Sequence, residues 1–202
     1  WRDAGSEWIH VVDLDGAFSG TSSNRPALEK ILACGLKIQL GGGVRETDAV
    51  ATLLDAGVER VVVGTRACRE PDFAGQLARR FNSRIAVGID AKDGFVAVDG
   101  WVTVTQVRSI DLALQVEDLG VKTIIYTDVA RDGAMTGPNF QAMEEMLDAT
   151  DCQVVASGGV SSLSDVKRFA QMKEDFPNLE GIIIGKALYE RTFALVDALA
   201  IP

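Results

Sequence analysis

Short apolar runs alternate with longer amphipathic ones along this chain. The runs at 8–14, 37–40, 60–63, 85–90, 123–127, 153–156 and 181–184 are almost unbroken by polar residues. Such runs predict strands buried on both faces, as in a parallel sheet covered by helices. Between them the apolar spacing becomes helical, predicting helices near 24–34, 46–56, 69–81, 109–119, 139–149, 162–173 and 187–199. Pro26 and Pro71 stand where a first helical turn tolerates them. Two segments break the rhythm. Residues 15–20 read as a flexible loop, and 91–101, with turn signals at both ends, as a β-hairpin excursion.

The pattern repeats. Ile38-Gln39-Leu40-Gly41-Gly42-Gly43-Val44-Arg45 has the same plan as Val154-Val155-Ala156-Ser157-Gly158-Gly159-Val160-Ser161. Each copy is followed by a helix and a second strand that ends in glycine, at Val63-Gly64-Thr65 and Ile184-Gly185-Lys186. Gly16 and Gly133, Gly42 and Gly158, and Gly64 and Gly185 are each about 120 positions apart. A half-unit of that length with four βα units gives roughly 240 residues for eight, the usual size of a (β/α)₈ TIM barrel. The fold expected is therefore an α/β (β/α)₈ barrel with an internal half-barrel duplication, residues 1–202 forming a single domain. The partner of the strand ending at Asp90 would fall before Trp1. The barrel is thus expected to be N-terminally incomplete, its first βα unit absent. The alternative is a flavodoxin-like open sheet.

Composition narrows the function. The 202 residues are 47% hydrophobic, enough for a sizeable core, and no apolar run reaches the roughly 18 residues that span a bilayer. The formal charge of −9 disfavours nucleic acid or an anionic membrane as a partner. Cys34, Cys68 and Cys152 are widely spaced and odd in number, as in a reducing cytoplasm. With one histidine and no CxxC pair, no metal site is expected.

Glycine at the carboxyl end of a strand lets backbone N–H groups face an anion. The two glycine pairs thus predict two phosphate grips: Gly42, Gly43, Gly64 and Thr65 in one, Gly158, Gly159, Gly185 and Lys186 in the other. In a barrel the reacting groups lie at the same strand ends. There the chain offers Asp13, Asp90, Thr127 and Asp128, with Asp132 just beyond. Asp90 follows an apolar strand and precedes the hairpin, so partial burial could raise its pKa and make it a general acid. Capping the next turn is the structural alternative, and it leads for Asp13 and Asp128. His10 reads as a core histidine within its strand. Trp101 either packs on the barrel rim or stacks on a flat ring. Arg45 and Lys186 either touch phosphate or are solvated helix-start residues. No Ser-His-Asp set is available, and the bare Gly41–Gly43 triplet is a poor dinucleotide motif.

These motifs, with Val87-Gly88-Ile89-Asp90, Val98-Asp99-Gly100-Trp101, Tyr126-Thr127-Asp128, Arg131-Asp132-Gly133 and Gly137-Pro138-Asn139, resemble an enzyme family. It is the aldose–ketose isomerase of histidine biosynthesis, the phosphoribosylformimino-5-aminoimidazole carboxamide ribotide isomerases. The resemblance covers nearly the whole chain. It implies an Amadori rearrangement that opens a phosphoribosylamine ring and moves a proton from C2 to C1, without metal or organic cofactor. It implies a bisphosphorylated small-molecule substrate held by both grips, with Asp13 and Arg45 among the contacts, and a cytoplasmic protein, monomeric when complete. By resemblance Asp90 is the proton donor, Asp132 has a second claim to that role, and Thr127 supports them. Trp101 stacks on the aminoimidazole. The family's proton acceptor, an Asp ending the first strand, has no counterpart in this sequence, so the 202-residue chain alone is expected to be inactive. Three other readings stay open: the cyclase subunit of the next pathway step, an isomerase shared with tryptophan synthesis, and a non-catalytic phosphosugar-binding module.

Overall fold

Nine strands form one sheet among the residues described, 1–19 and 24–202, in this computed structural model. They are β1 (Trp8–Val12), β2 (Lys37–Gly41), β3 (Arg60–Val63), β4 (Ile85–Lys92), β5 (Phe95–Val98), β6 (Thr103–Arg108), β7 (Thr123–Asp128), β8 (Gln153–Ser157) and β9 (Leu179–Ile183). The helices are α1 (Leu14–Ser19), α2 (Arg25–Leu32), α3 (Thr47–Asp55), α4 (Thr65–Arg69), α5 (Pro71–Phe81), α6 (Ser109–Asp118), α7 (Phe140–Ala149), α8 (Leu163–Asp175), α9 (Lys186–Tyr189) and α10 (Leu195–Leu199).

Seven strands pair in parallel in the order β1-β2-β3-β4-β7-β8-β9. The order never reverses, so there is no switch point of the kind an open doubly wound sheet requires. That excludes the flavodoxin-like alternative. The sheet also curls. Arg60 on β3 reaches Glu180 on β9 through two hydrogen bonds of 2.7 and 3.1 Å, although three strands separate them along the sheet. Inside the curl, Val62, Ala86, Ile125 and Val155 form an apolar cluster with Ile183 against it. The fold is that of a (β/α)₈ barrel, with β1 and β9 at the two ends of its strand order.

Alternate residues of the same strands point outward. Ile38, Leu40, Val61, Val63, Ile85, Val87, Ile89, Ile124 and Val154 are buried beneath the helices. Each such side chain contributes about 1.5–3 kcal/mol by leaving water. The helices answer with one apolar face each. Val166, Phe169 and Met172 recur along α8, whose start is fixed by a capping box between Ser162 and Asp165.

Several expectations need correction. The first strand stops at Val12 rather than Leu14, and Leu14 together with residues 15–19 of the expected loop forms the helix α1. The Asp13 carboxylate accepts the Gly16 N–H at 3.0 Å and its carbonyl accepts Ala17 N–H at 2.9 Å, which starts a helical turn. Gly20 lies outside the described residues. The last helix is two, α9 and α10. Arg191 enters the left-handed region (φ 57°), and the Thr192 hydroxyl turns to the Ser161 carbonyl at 3.0 Å. The hairpin excursion continues through β6, which escaped notice because it buries neither face.

Candidate active site

All seven parallel strands deliver their carboxyl ends to one rim, so the two glycine turns open on the same mouth. Gly42 and Gly43 follow β2, and Gly158 and Gly159 follow β8. All four have positive φ, between 70° and 106°. A Cβ on Gly42 would sit 2.3 Å from the Asp13 carbonyl oxygen, and one on Gly43 2.2 Å from that of Gly16. A Cβ on Gly158 would sit 2.9 Å from the Asp128 carbonyl oxygen, and one on Gly159 2.7 Å from that of Gly137. These glycines therefore admit the neighbouring loop's backbone, a packing reason independent of any anion.

The neighbouring loops share a clasp. Asn24 Nδ2 donates to Asp13 Oδ1 at 2.8 Å, and Asn139 Nδ2 donates to Asp128 Oδ2 at 2.7 Å. The spacing from Asp to Asn is the same in both halves. Asp13 also takes the Gly16 N–H, and Asp128 takes those of Ala130 (2.9 Å) and Arg131 (3.2 Å). Both carboxylates thus hold loops closed. Gly64 and Gly185 complete the symmetry, with φ/ψ of −108°/−103° and −105°/−99° before α4 and α9. No atom within 3.5 Å would obstruct a Cβ on either.

Asp132, Gly133, Met135, Ser157, Gly158, Gly159, Gly185 and Lys186 line an open cleft. Lys186 Nζ donates to the Gly133 carbonyl at 2.9 Å, placing a cation at its wall. In the other half, Thr65 Oγ1 accepts the Asp99 N–H at 3.1 Å. The tip of the β5–β6 hairpin therefore rests on the start of α4, beside Gly64. Arg45 is exposed at the start of α3.

Asp90 lies in β4, beside Thr127 of β7 in the ladder register. Burial pushes its pKa up. The Trp101 indole N–H and the Thr127 hydroxyl oppose that by hydrogen bonding, and the nearby Asp132 charge adds to it. The Trp101 bond to Asp90 Oδ2 is 2.8 Å. Burial raises the pKa of Asp132 as well. Two carboxyl groups biased toward the protonated form thus share the mouth with a hydroxyl and an indole. His10, half-buried in β1, faces Gln39 at 3.0 Å through Nδ1, and removal from water lowers its pKa to about 4. Among the described residues, no group of three metal-ligating side chains could hold an ion, and no helix is long and apolar enough to cross a membrane.

A family model described as histidine biosynthesis protein matches residues 1–194. The chain belongs to this histidine-biosynthesis family. Three bacterial relatives carry the same name, 1-(5-phosphoribosyl)-5-((5-phosphoribosylamino)methylideneamino) imidazole-4-carboxamide isomerase. The relative from Opitutus terrae is 50% identical over 201 residues, covering 100% of this chain and 83% of its own length. That from Thermodesulfovibrio yellowstonii is 47% identical, covering 100% and 81%. That from Syntrophomonas wolfei is 46% identical, covering 98% and 82%.

In this member of the family, the residues expected at the site, Asp90, Thr127, Asp132, Trp101 and the two sets of glycines, lie at the carboxyl ends of the strands or in the loops after them. Sequence reasoning had not foreseen the Asp13–Asn24 and Asp128–Asn139 clasps, although equal Asp-to-Asn spacing in both halves was a visible signal. Nor had it joined Trp101 to Asp90 or Asp99 to Thr65, since both contacts depend on how the hairpin folds back.

Proposed function

We propose that this chain is the catalytic body of an aldose–ketose isomerase of histidine biosynthesis, with the substrate for which its relatives are named. The observation that carries the proposal is one half-buried carboxyl group, Asp90, held by the Trp101 indole on a rim flanked by two matching glycine turns. The relatives' name contains two phosphoribosyl groups, one for each turn. One phosphate would rest on Gly42, Gly43, Gly64 and Thr65, and the other on Gly158, Gly159, Gly185 and Lys186. Backbone N–H groups at strand ends and helix starts suit that task even in an acidic protein.

Asp90 would give its proton to the ring oxygen as the C1–O bond breaks, and the C2 proton would then move to C1. An elevated pKa keeps such an acid charged with its proton near neutral pH. Thr127 would orient the carboxyl group, and Asp132 would hold it protonated or share its role. Trp101 would cover the flat imidazole while fixing Asp90. Asp13 serves the loop rather than the substrate. Such an enzyme would work in the cytoplasm as a monomer, without a cofactor.

The test is turnover by the full-length protein of the bisphosphorylated aminoaldose to its ketose, followed by absorbance. Conversion supports the assignment. Activity only on the ketose with ammonia would replace it with the cyclase. Added turnover of phosphoribosylanthranilate, read by fluorescence, would broaden it to a shared isomerase. Tight binding without turnover would leave a phosphosugar-binding module.

A further inference from the structure

The hairpin tip joins two parts of the site that are far apart in sequence, and it does so in a strained conformation. Asp99, Gly100 and Trp101 are consecutive residues with φ of 56°, 66° and 71°. Two of the three carry a Cβ, and left-handed runs do not persist in such residues unless surrounding contacts impose them. Three contacts do so. The Asp99 N–H donates to Thr65 Oγ1 at 3.1 Å, Arg69 Nη2 meets Asp99 Oδ2 at 2.6 Å, and Trp101 Nε1 donates to Asp90 Oδ2 at 2.8 Å. The first and last belong to residues already placed in the site. Arg69, on the outer end of α4, belongs to no part of it.

We propose that Arg69 is a positioning residue: through Asp99 it latches the hairpin tip across the mouth, and so sets both the phosphate grip at Thr65 and the acid at Asp90. This rests on the function proposed above. Thr65 Oγ1, accepting from Asp99, keeps its own proton for donation to a phosphate oxygen. Tip docking and phosphate binding therefore favour each other, each lowering the ordering cost of the other. At the far end, docking brings the Trp101 indole onto Asp90. Arg69 and Asp99 are well exposed, with side chains 60% and 41% accessible, so their attraction is modest. A modest term suffices where strain and tethers nearly balance. It shifts the docked population severalfold, without bearing on the fold.

Arg69→Met and Asp99→Asn test the latch in the full-length protein. Asparagine keeps the left-handed backbone and its N–H, and removes only the ion pair. Each single variant is expected to lower kcat/KM about three- to tenfold and to make Trp101 more accessible to acrylamide quenching, with a Trp101→Phe control subtracting Trp1 and Trp8. The double variant should lose no more than either single one, because both remove the same contact. Unchanged quenching in the single variants, or losses that multiply in the double one, would overturn the latch while leaving the isomerase assignment standing. Altered quenching in a protein that never turns over the aminoaldose would do the reverse.

Discussion

The indole N–H of Trp101 and the Oδ2 of Asp90 lie 2.8 Å apart, so the hairpin and the half-buried acid act as one unit. The indole favours the charged form of Asp90, whereas the Asp132 charge opposes it. A general acid works below its pKa and fails above it, so these neighbours set the alkaline limb of the rate profile. Trp101→Phe and Thr127→Val remove hydrogen bonds to the carboxylate and should move that limb to higher pH. Asp132→Asn removes a neighbouring negative charge and should move it to lower pH. Profiles of kcat against pH check the opposite signs, and a common direction would refute the assignment of causes.

The same elevated pKa makes Asp90 a burden on folding. A carboxyl group whose folded pKa exceeds its unfolded value binds its proton more tightly when folded. Stability is therefore lost as pH rises from the ordinary carboxylate range through the folded value. Asp90→Asn should raise the melting temperature at neutral pH and flatten its dependence on pH in that window. A lower melting temperature at pH 7 would contradict this.

The glycines divide into two kinds. Alanine at Gly42 or Gly159 would place a Cβ within 2.3 or 2.7 Å of backbone oxygen, at a positive φ. Both variants should lose about 2–4 kcal/mol of stability in urea titrations. Gly64 and Gly185 have no such obstruction. Alanine there should cost about 1 kcal/mol or less in stability while weakening substrate binding. Equal destabilisation across all four positions would remove the distinction.

Much of this architecture is legible because the five inner parallel strands, buried on both faces, leave near-continuous apolar runs; β1 and β9, at the ends of the order, carry apolar runs too but are only partly buried, β1 having no buried residue. β6 is not legible, since Thr103–Arg108 gains no buried face to mark it. The Arg60–Glu180 pair was illegible for another reason. Where β8 meets β9 the register shifts, Val154 pairing with Leu179 and Val155 with Gly181. Glu180 is the extra residue, and a bulge turns it onto Arg60 in a way that simple alternation cannot foretell. The glycine turns were found from their repetition, but half of their reason, room for the neighbouring loop, depends on the tertiary fold.

That ion pair offers its own test. The Arg60 side chain is 11% accessible and would be left with an uncompensated charge in Glu180→Gln. The loss should be about 2–3 kcal/mol in urea. Arg60→Leu combined with Glu180→Leu should recover most of it, since no buried charge remains. A double variant as unstable as the single one would show that the pair itself, and not the orphaned charge, carries the stability.

The most direct measurement is kcat for Asp90→Asn in the full-length protein, on the bisphosphorylated aminoaldose. With both glycine turns intact, KM should stay within about threefold, while kcat falls about 10²–10⁴-fold, the contribution expected of a positioned general acid. Turnover within about threefold of the parent protein would contradict the role of Asp90, and with it the proton transfer on which the proposed isomerisation depends.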